Sequence, residues 1–193
     1  MHVSLGLPEH LKPQAATLYW QAFGGKLGRV MGPEARAHAF LVRVMRADHC
    51  ICAVSDDGHL LGIAGFKSPK GSFAGGEVPD LQVIYGRIGA LWRGSLLRLL
   101  QTDADNDRFL IDGICVAPDQ RGRGIGSALV VALMAEAVRR GYPAIRLEVI
   151  DTNIRARALY ERLGFAAFRS ETLGPLRHVF GFSRAVSMVR SLP

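Results

Sequence analysis

Apolar and polar residues along the chain form short blocks with two different periods. Alternating or continuous apolar runs of four to eight residues are typical of β-strands, whereas apolar residues spaced by three and four are typical of amphipathic helices. The first pattern predicts strands at residues 2–6, 50–55, 60–66, 109–116, 144–150, 166–172 and 178–188. The second predicts helices at residues 13–23, 33–46, 125–138 and 154–163. We therefore expect a mixed α/β fold.

Turn-forming residues mark the ends of several of these elements. Asp56, Asp57 and Gly58 form a favourable hairpin turn between the second and third predicted strands. Asn153 is expected to cap a helix, because its side chain accepts a hydrogen bond from a free N–H of the first turn. Gly164 is expected to end the same helix, since glycine adopts the left-handed conformation of a C-cap without strain.

Composition and cysteine content exclude several classes of protein. The 193 residues are 49% hydrophobic, which is enough to bury one substantial core. No apolar run approaches a membrane span, and Pro8 and Lys12 interrupt the N-terminal segment too early for a signal peptide. Cys50, Cys52 and Cys115 are too few for a disulfide scaffold, and the histidines show no spacing suited to a metal. We expect a cytoplasmic protein without membrane contact or metal.

The net charge of +7 comes from 24 basic and 17 acidic residues. The basic residues are scattered and do not form a run interleaved with aromatic side chains, so we do not expect nucleic acid as a partner. A positive surface does favour the capture of an anionic ligand.

The strand predicted at residues 109–116 is followed by a glycine-rich loop and a helix. The loop carries two arginines and three glycines, namely Arg121, Gly122, Arg123, Gly124 and Gly126. Glycines let main-chain N–H groups approach a ligand without an intervening side chain, and a helix N-terminus is electropositive. This arrangement predicts a binding site for a phosphorylated cofactor.

Two common phosphate loops differ from this one. A Walker A loop ends in Gly-Lys-Ser/Thr, but no lysine follows Gly124 or Gly126. A dinucleotide fingerprint that begins at Gly122 would need a glycine where Ser127 stands. Such a fingerprint also begins directly at the end of its strand, whereas residues 118–121 stand between the strand and Gly122 here. One point favours the dinucleotide interpretation, since Glu148 lies about where a ribose-binding acid would stand.

Two blocks of residues resemble the signature of the GNAT superfamily of acetyl-CoA-dependent N-acetyltransferases. The first block, a strand end and its loop, contains Val116-x-Pro118 and Arg121-x-x-Gly124-x-Gly126. The second block, a strand end and the following helix, contains Asn153, Ala156, Leu159, Tyr160, Gly164 and Phe165. Both blocks stand in the family's order and separation, and the resemblance extends from about residue 109 to residue 166.

The resemblance implies one N-acetyltransferase domain over residues 1–193, with a mostly antiparallel, centrally splayed sheet flanked by helices. It also implies acetyl-CoA as cosubstrate, with the pantetheine arm paired to the main chain of the strand before the loop, at Ile114, Cys115 and Val116. The Val116 amide is the candidate donor to the reaction's oxyanion. The pyrophosphate and the rest of the cofactor are expected to contact Arg121, Gly122, Arg123, Gly124, Ile125, Gly126, Ser127 and Asn153.

Tyr160 matches the family tyrosine that protonates the departing sulfur. A phenol can donate a proton to a developing thiolate from within hydrogen-bonding distance. The alternative is a core tyrosine, because Ala156, Leu159, Tyr160 and Leu163 form one apolar stripe on the predicted helix.

Two carboxylates are candidates for the base, and they stay equal at this point. Glu148 precedes Tyr160 by 12 residues, which is the offset of the glutamate proposed as base in family members that acetylate protein N-termini. Its alternative is an ion pair with Arg146. Asp112 is expected to share a strand face with Ile114. Relatives that acetylate small aromatic amines place a base histidine at the position that matches Asp112. Its alternative is a capping carboxylate, and a water-mediated base is the third candidate.

Residues 68–108 form an inserted segment, since many family members join the flanking strands by a short turn. Apolar residues recur in it at helical spacing, namely Leu81, Ile84, Tyr85, Ile88, Trp92, Leu96, Leu99 and Leu100. One interpretation is a cap that covers the acceptor site and selects the amine. The alternatives are an ordinary helix packed on the sheet and a homodimer contact.

The function implied by the resemblance is direct transfer of an acetyl group from acetyl-CoA to a primary amine. The acceptor is either a small-molecule amine or the N-terminus of a peptide or protein. The alternative from another class is a non-catalytic acyl-CoA sensor, which would keep the phosphate loop but would need neither acid nor base.

Overall fold

The computed structural model describes residues 1–98, 108–174 and 177–193. The described strands are β1 (His2–Leu5), β2 (Cys50–Val54), β3 (Leu60–Ser68), β4 (Gly71–Ser72), β5 (Phe109–Val116), β6 (Ala144–Ile150), β7 (Ala166–Thr172) and β8 (Arg184–Ser191). They form one sheet in the spatial order β1-β2-β3-β5-β6-β8-β7, with β4 paired to β3. Neighbouring strands are antiparallel except β5 and β6, which are parallel. The expected mixed, mostly antiparallel sheet is therefore confirmed.

Helices cover both faces of this sheet. They are α1 (Lys12–Met31), α2 (Glu34–Val44), α3 (Val78–Arg98), α4 (Ile125–Arg139), α5 (Ile154–Arg162) and α6 (Arg177–Phe180). On one face, α4 and α5 pack against alternate residues of β5 and β6 in the largest apolar cluster. On the other face, α1 and α2 bury a second cluster that includes Ile63 and Cys115. α3 packs against α1 and α2 in a third cluster.

The predicted strands from residue 2 to residue 172 are present, with ends shifted by at most one or two residues. The predicted strand at 178–188 is wrong in its first part. Arg177–Phe180 form the short helix α6, and β8 begins only at Arg184. Phe180 and Phe182 pack with Val30 of α1 in an apolar cluster of their own. An alternating apolar pattern could not distinguish this helix and turn from a strand, because so few residues fit either period.

α1 continues to Met31, well beyond the helix predicted at 13–23. Glycines at positions 24, 25 and 28 interrupt the apolar pattern and disfavour a helix. The helix persists because Val30 and Met31 are almost completely buried against other parts of the chain. Tertiary packing thus outweighs local helix propensity here.

The inserted helix α3 is interrupted at Gly86, whose φ of 72° and ψ of 172° are not helical. Before the interruption Leu81 and Tyr85 are buried, and after it Ala90 and Gly94 are buried. The break changes the phase of the helix, so that Ile88, predicted to be in the apolar stripe, is 83% exposed. Of the other stripe residues, Trp92 is also exposed, and Leu99 and Leu100 lie outside the described residues.

Candidate functional site

β5 and β6 diverge near the centre of the sheet. Their parallel ladder comprises only Phe109 opposite Ile145 and Leu110 opposite Arg146. Beyond these pairs β5 stays bonded to β3 on its other edge up to Val116, and β6 stays bonded to β8. The two strands therefore leave an opening after Leu110, which confirms the expected central splay.

The main-chain groups that face this opening belong to Ile114 and Val116. The Ala117 N–H donates to the Leu61 carbonyl of β3 at 2.9 Å. Because the hydrogen-bonding direction alternates along an antiparallel ladder, Cys115 also directs its N–H and C=O at β3. That differs from the expectation that all three consecutive residues would face the opening. The Arg121 Nε donates to the Val116 carbonyl at 3.2 Å, which agrees with this alternation.

The glycine-rich loop joins β5 to α4 through two left-handed residues. Gly122 and Gly124 both have φ near 81°, a conformation that costs other residues about 1–2 kcal/mol. α4 begins at Ile125, and no side chain caps it. The Ala128 N–H reaches the Gly124 carbonyl at 3.0 Å, so the N–H groups of the residues before it in the first turn lack an intrahelical acceptor. This helix start is therefore suited to an anion.

Gly126 acts differently from the two glycines before it. A β-carbon at Gly126 would lie 3.3 Å from Leu159 Cδ2 and 3.8 Å from Val116 Cγ2. The missing side chain lets α4 approach α5 and the end of β5 closely. Ser127 follows it in the first turn and is partly buried, while Arg121 and Arg123 are exposed beside the loop.

Asn153 and Gly164 bound α5 as predicted. The Asn153 Oδ1 accepts a hydrogen bond from the Ala156 N–H at 3.2 Å, and Gly164 follows the helix with φ of 79°. The cap fixes the direction in which α5 leaves β6. With α5 in this direction, Tyr160 is buried in the apolar cluster between α4 and the sheet.

Tyr160 is buried on the α4 side of the sheet. Its ring packs near Phe165, with 6.0 Å between ring centroids, and only 9% of the residue is exposed. Burial, assisted by the neighbouring Cys115 thiol of β5, raises the pKa of Tyr160 to about 12. A phenol in this environment stays protonated at neutral pH and can serve as a proton donor.

Asp112 and Ile114 lie on opposite faces of the sheet, contrary to the expectation that they would share one. The β3–β5 register shifts between Gly65 and Phe66, which pair with Gly113 and Ile111, so that Asp112 is the extra residue of a β-bulge. The bulge puts Asp112 on the α1 face, where it lines a cavity with Tyr19. Ile114, predicted to share its face, packs instead against the α4 cluster. One inserted residue thus reverses the alternation on which that prediction depended.

Glu148 lies on β6, on the same α1 face as Asp112. Its neighbours Leu147 and Val149 are buried in the α4 cluster, so the Glu148 side chain points the other way. The Arg146 Nη2 donates to Glu148 Oε1 at 3.1 Å, and the Ser187 hydroxyl donates to the same atom at 3.4 Å. The predicted ion pair with Arg146 is therefore present, and the side chain keeps 34% of its surface exposed.

The two carboxylates stand at equivalent positions on the two strands that border the opening. Leu110 and Arg146 form the last pair of the parallel ladder, and Asp112 and Glu148 each follow two residues later. Their side chains lie on the face of the sheet opposite α4. A ligand that passed between the strands from the α4 side would therefore reach the face that carries both carboxylates.

Among the residues that the structure describes, no group of three or more His, Cys, Asp or Glu side chains is placed to hold a metal ion. Within the same residues, no helix combines the length and the apolar character needed to cross a bilayer.

Comparisons with known proteins agree on one family. Over 79 residues the chain is 40% identical to the probable N-acetyltransferase camello of Xenopus tropicalis. The aligned residues are 41% of this chain and 36% of that protein. Over 72 residues it is 38% identical to the ribosomal protein bS18-alanine N-acetyltransferase of Escherichia coli K12. The aligned residues are 37% of this chain and 49% of that protein. The matches thus span less than half the length of either relative.

An N-acetyltransferase from Staphylococcus aureus Mu50 has the same fold. Its crystal structure superposes with a TM-score of 0.69 at 14% identity, covering 98% of this chain and all of that one. The model of the Acetyltransferase (GNAT) family matches residues 13–165, from the start of α1 to the end of the second sequence block. The chain therefore belongs to the GNAT family of acetyltransferases.

Proposed function

We propose that this protein transfers the acetyl group of acetyl-CoA directly to a primary amine. The observation that carries the proposal is the opening after Leu110, which lies next to the uncapped start of α4. An exposed strand edge offers N–H and C=O groups to the amides of a pantetheine arm, and a helix N-terminus offers N–H groups to a pyrophosphate. Coenzyme A carries both groups in one molecule.

In this proposal the main chain and the loop hold the cofactor. Ile114 and the Val116 carbonyl pair with the pantetheine amides, and the Val116 N–H stabilises the oxyanion. The pyrophosphate lies against the amides of residues 121–127, where the Ser127 hydroxyl adds a donor. The Arg121 guanidinium exchanges its bond to the Val116 carbonyl for a bond to phosphate.

Asn153 contributes from the other side of the opening. Its Oδ1 is already used to cap α5, so the side-chain NH₂ is the group that donates to the pantetheine arm. This assignment needs no change in the cap, because the two ends of the amide act independently.

Glu148 and Tyr160 move the protons. Glu148 takes a proton from the substrate ammonium, and the free amine attacks the thioester carbonyl to give a tetrahedral oxyanion. Collapse of this intermediate breaks the C–S bond, and Tyr160 donates its proton to the departing thiolate. The attacking nitrogen loses its remaining excess proton, which restores the Tyr160 phenol, and Glu148 passes its proton to water. We assign the base to Glu148 because its partly exposed carboxylate can release the proton to water, whereas Asp112 is only 12% exposed and is fixed by neighbouring groups.

We also propose a cytoplasmic setting and a homodimer. Cys50, Cys52 and Cys115, all within the described residues, are buried and form no disulfide, and reduced thiols persist in a reducing compartment. Val83, Ile88 and Leu91 are exposed apolar side chains on α3, which supports a contact with a second copy.

A thiol-release assay tests the proposed reaction. Incubation with acetyl-CoA and a panel of primary amines and N-terminal peptides should release free coenzyme A thiol at a rate that depends on the amine, with one equivalent of N-acetyl product per thiol. Tight binding of coenzyme A without release of thiol for any amine would instead indicate the acyl-CoA sensor.

A further inference from the structure

A cavity of about 490 Å³ lies on the face of the sheet opposite α4. α1, α2 and the inserted helix α3 form walls that include the apolar side chains Leu27, Met31, Phe40 and Leu81, and polar groups make up nearly as much of the lining. Asp112 of β5 lines the same space. The volume is in the range of sites that enclose a small organic ligand.

The charged groups inside the cavity are Asp112 and Lys67. The Ala74 N–H donates to Asp112 Oδ2 at 3.3 Å, and the Lys67 Nζ lies 3.6 Å from Asp112 Oδ1. The main-chain bond holds the carboxylate in one orientation, and the ion pair with Lys67 occupies one side of Oδ1, whose second lone pair can accept from another donor. Glu77 and Arg98 also line the cavity, but both are exposed.

Tyr19 completes the polar part of the cavity. Burial, with the Asp112 carboxylate and Cys115 as further causes, raises the pKa of Tyr19 well above its ordinary value. The phenol is therefore neutral, and the carboxylate that a ligand would meet is Asp112, which is partly buried and ion-paired with Lys67. A carboxylate between apolar walls favours a ligand that combines a cation with an apolar body.

The Asp112 end of the cavity adjoins the opening between β5 and β6. Asp112 follows the last paired residue of β5, Leu110, by two positions. In the proposed reaction the thioester enters the opening from the loop side, and the cavity reaches the same point from the other side. An amine held at Asp112 would then face the acetyl group.

We propose that the acceptor is a small primary amine with an apolar body, held in this cavity with its nitrogen at Asp112. This inference depends on the acetyl transfer proposed above and adds the class of substrate. A peptide N-terminus fits the cavity less well, because its main-chain N–H and C=O groups would lose water against Leu27, Phe40 and Leu81 without replacement partners. Asp112 acts here as a substrate-binding group, and Glu148 stays the base.

Gly94 of α3 is one of the residues that line the cavity. A β-carbon at this position would lie 3.6 Å from Leu81 and 3.8 Å from Val78, both ordinary contacts. A leucine at position 94 therefore has room for its first atom and extends into the space that the apolar body would fill. The inserted helix thus caps the acceptor site and selects by size.

The first test compares butylamine, hexylamine, phenethylamine and an alanine-first tetrapeptide as acceptors. Each added methylene should raise kcat/KM about fourfold until the cavity is filled, since burial of a methylene is worth about 0.8 kcal/mol. Phenethylamine should exceed the tetrapeptide by at least about tenfold. Coenzyme A binding, measured by calorimetry, is followed in parallel.

The second test changes the cavity itself. Gly94→Leu should lower kcat/KM for phenethylamine by about tenfold or more and affect butylamine less, while Ser95→Leu, on the exposed side of the same helix, should affect neither. Gly94→Ala gives a smaller change of the same sign if the leucine variant folds poorly. Asp112→Asn should raise KM for phenethylamine about tenfold with kcat changed little, because a neutral amide binds an ammonium weakly.

Calorimetry of phenethylamine on protein saturated with coenzyme A gives a readout that does not need turnover. Binding should be detectable for the natural sequence and for Ser95→Leu, and lost for Gly94→Leu. If the tetrapeptide is acetylated as well as phenethylamine, or if Gly94→Leu changes nothing, the substrate class is wrong although acetyl transfer stands. If coenzyme A does not bind and no amine is acetylated, the proposed function itself fails and this inference fails with it.

Discussion

Replacing Tyr160 by phenylalanine should lower kcat for acetyl transfer by about 10²- to 10⁴-fold, which is the usual contribution of a positioned general acid. The substitution removes only the hydroxyl, so the affinity for coenzyme A should stay within about twofold. Without the phenol, the sulfur must leave as an unprotonated thiolate. The measurement is steady-state kinetics with a saturating amine, together with calorimetry of coenzyme A.

The matched control is Tyr142→Phe. Tyr142 is partly buried and packs against Phe109 at the edge of the same apolar cluster, so this variant reports the effect of losing a tyrosine hydroxyl away from the opening. The pH profile gives a second check, because burial raises the pKa of Tyr160 to about 12. A tyrosine with an ordinary pKa near 10 would be half ionised at pH 10, whereas Tyr160 should still donate there. If Tyr160→Phe is as active as the natural sequence, Tyr160 is not the general acid.

Replacing Glu148 by glutamine should lower kcat by about 10²-fold or more at neutral pH. Glutamine still accepts the hydrogen bonds from Arg146 and Ser187 through its Oε1, so the local structure should be retained, but it cannot take a proton. The loss should shrink as the pH approaches the pKa of the amine, because the amine then arrives already deprotonated. The measurement is kcat as a function of pH for one amine.

Glu161→Gln is the control for the loss of a carboxylate that forms an ion pair. Glu161 accepts a hydrogen bond from Arg157 at 2.9 Å on the exposed side of α5, and its replacement should leave kcat unchanged. A loss of kcat in Asp112→Asn with none in Glu148→Gln would move the base role to Asp112. If neither variant loses kcat, a water molecule is the base.

The sequence allowed the architecture around the site to be predicted because two local signals were strong. Residues 109–116 alternate or run apolar up to Val116, and the glycines directly after them mark a loop that leads into a helix. Asn153 and Gly164 likewise have conformational preferences that hold in any fold. These elements depend on neighbours in the chain, so the sequence contains the information needed to place them.

The orientation of Asp112 could not be predicted in the same way. A β-bulge adds one residue to one strand, and that residue reverses the alternation on which a face assignment depends. The bulge is defined by the pairing of β5 with β3, two strands separated by the inserted segment. Only the three-dimensional register reveals that Asp112 and Glu148 share the α1 face.

The cavity also depends on contacts that are distant in sequence. Tyr19, Lys67 and Gly94 have no pattern in common, and sequence reasoning did not single them out as site residues. They meet because α3 bends at Gly86 and returns its second half to α1 and α2. Glycines disfavour a regular helix, but the direction of the bend at Gly86 is set by packing.

The most direct test of the central claim is residue-resolved amide hydrogen exchange, with and without coenzyme A. Binding should slow the exchange of the N–H groups of Ile114 and Val116 and of residues 123–127, because the pantetheine arm and the pyrophosphate would cover them. The Cys115 N–H, already bonded to β3, should change much less. Uniform or absent protection of these amides at saturating coenzyme A would contradict the proposed binding mode.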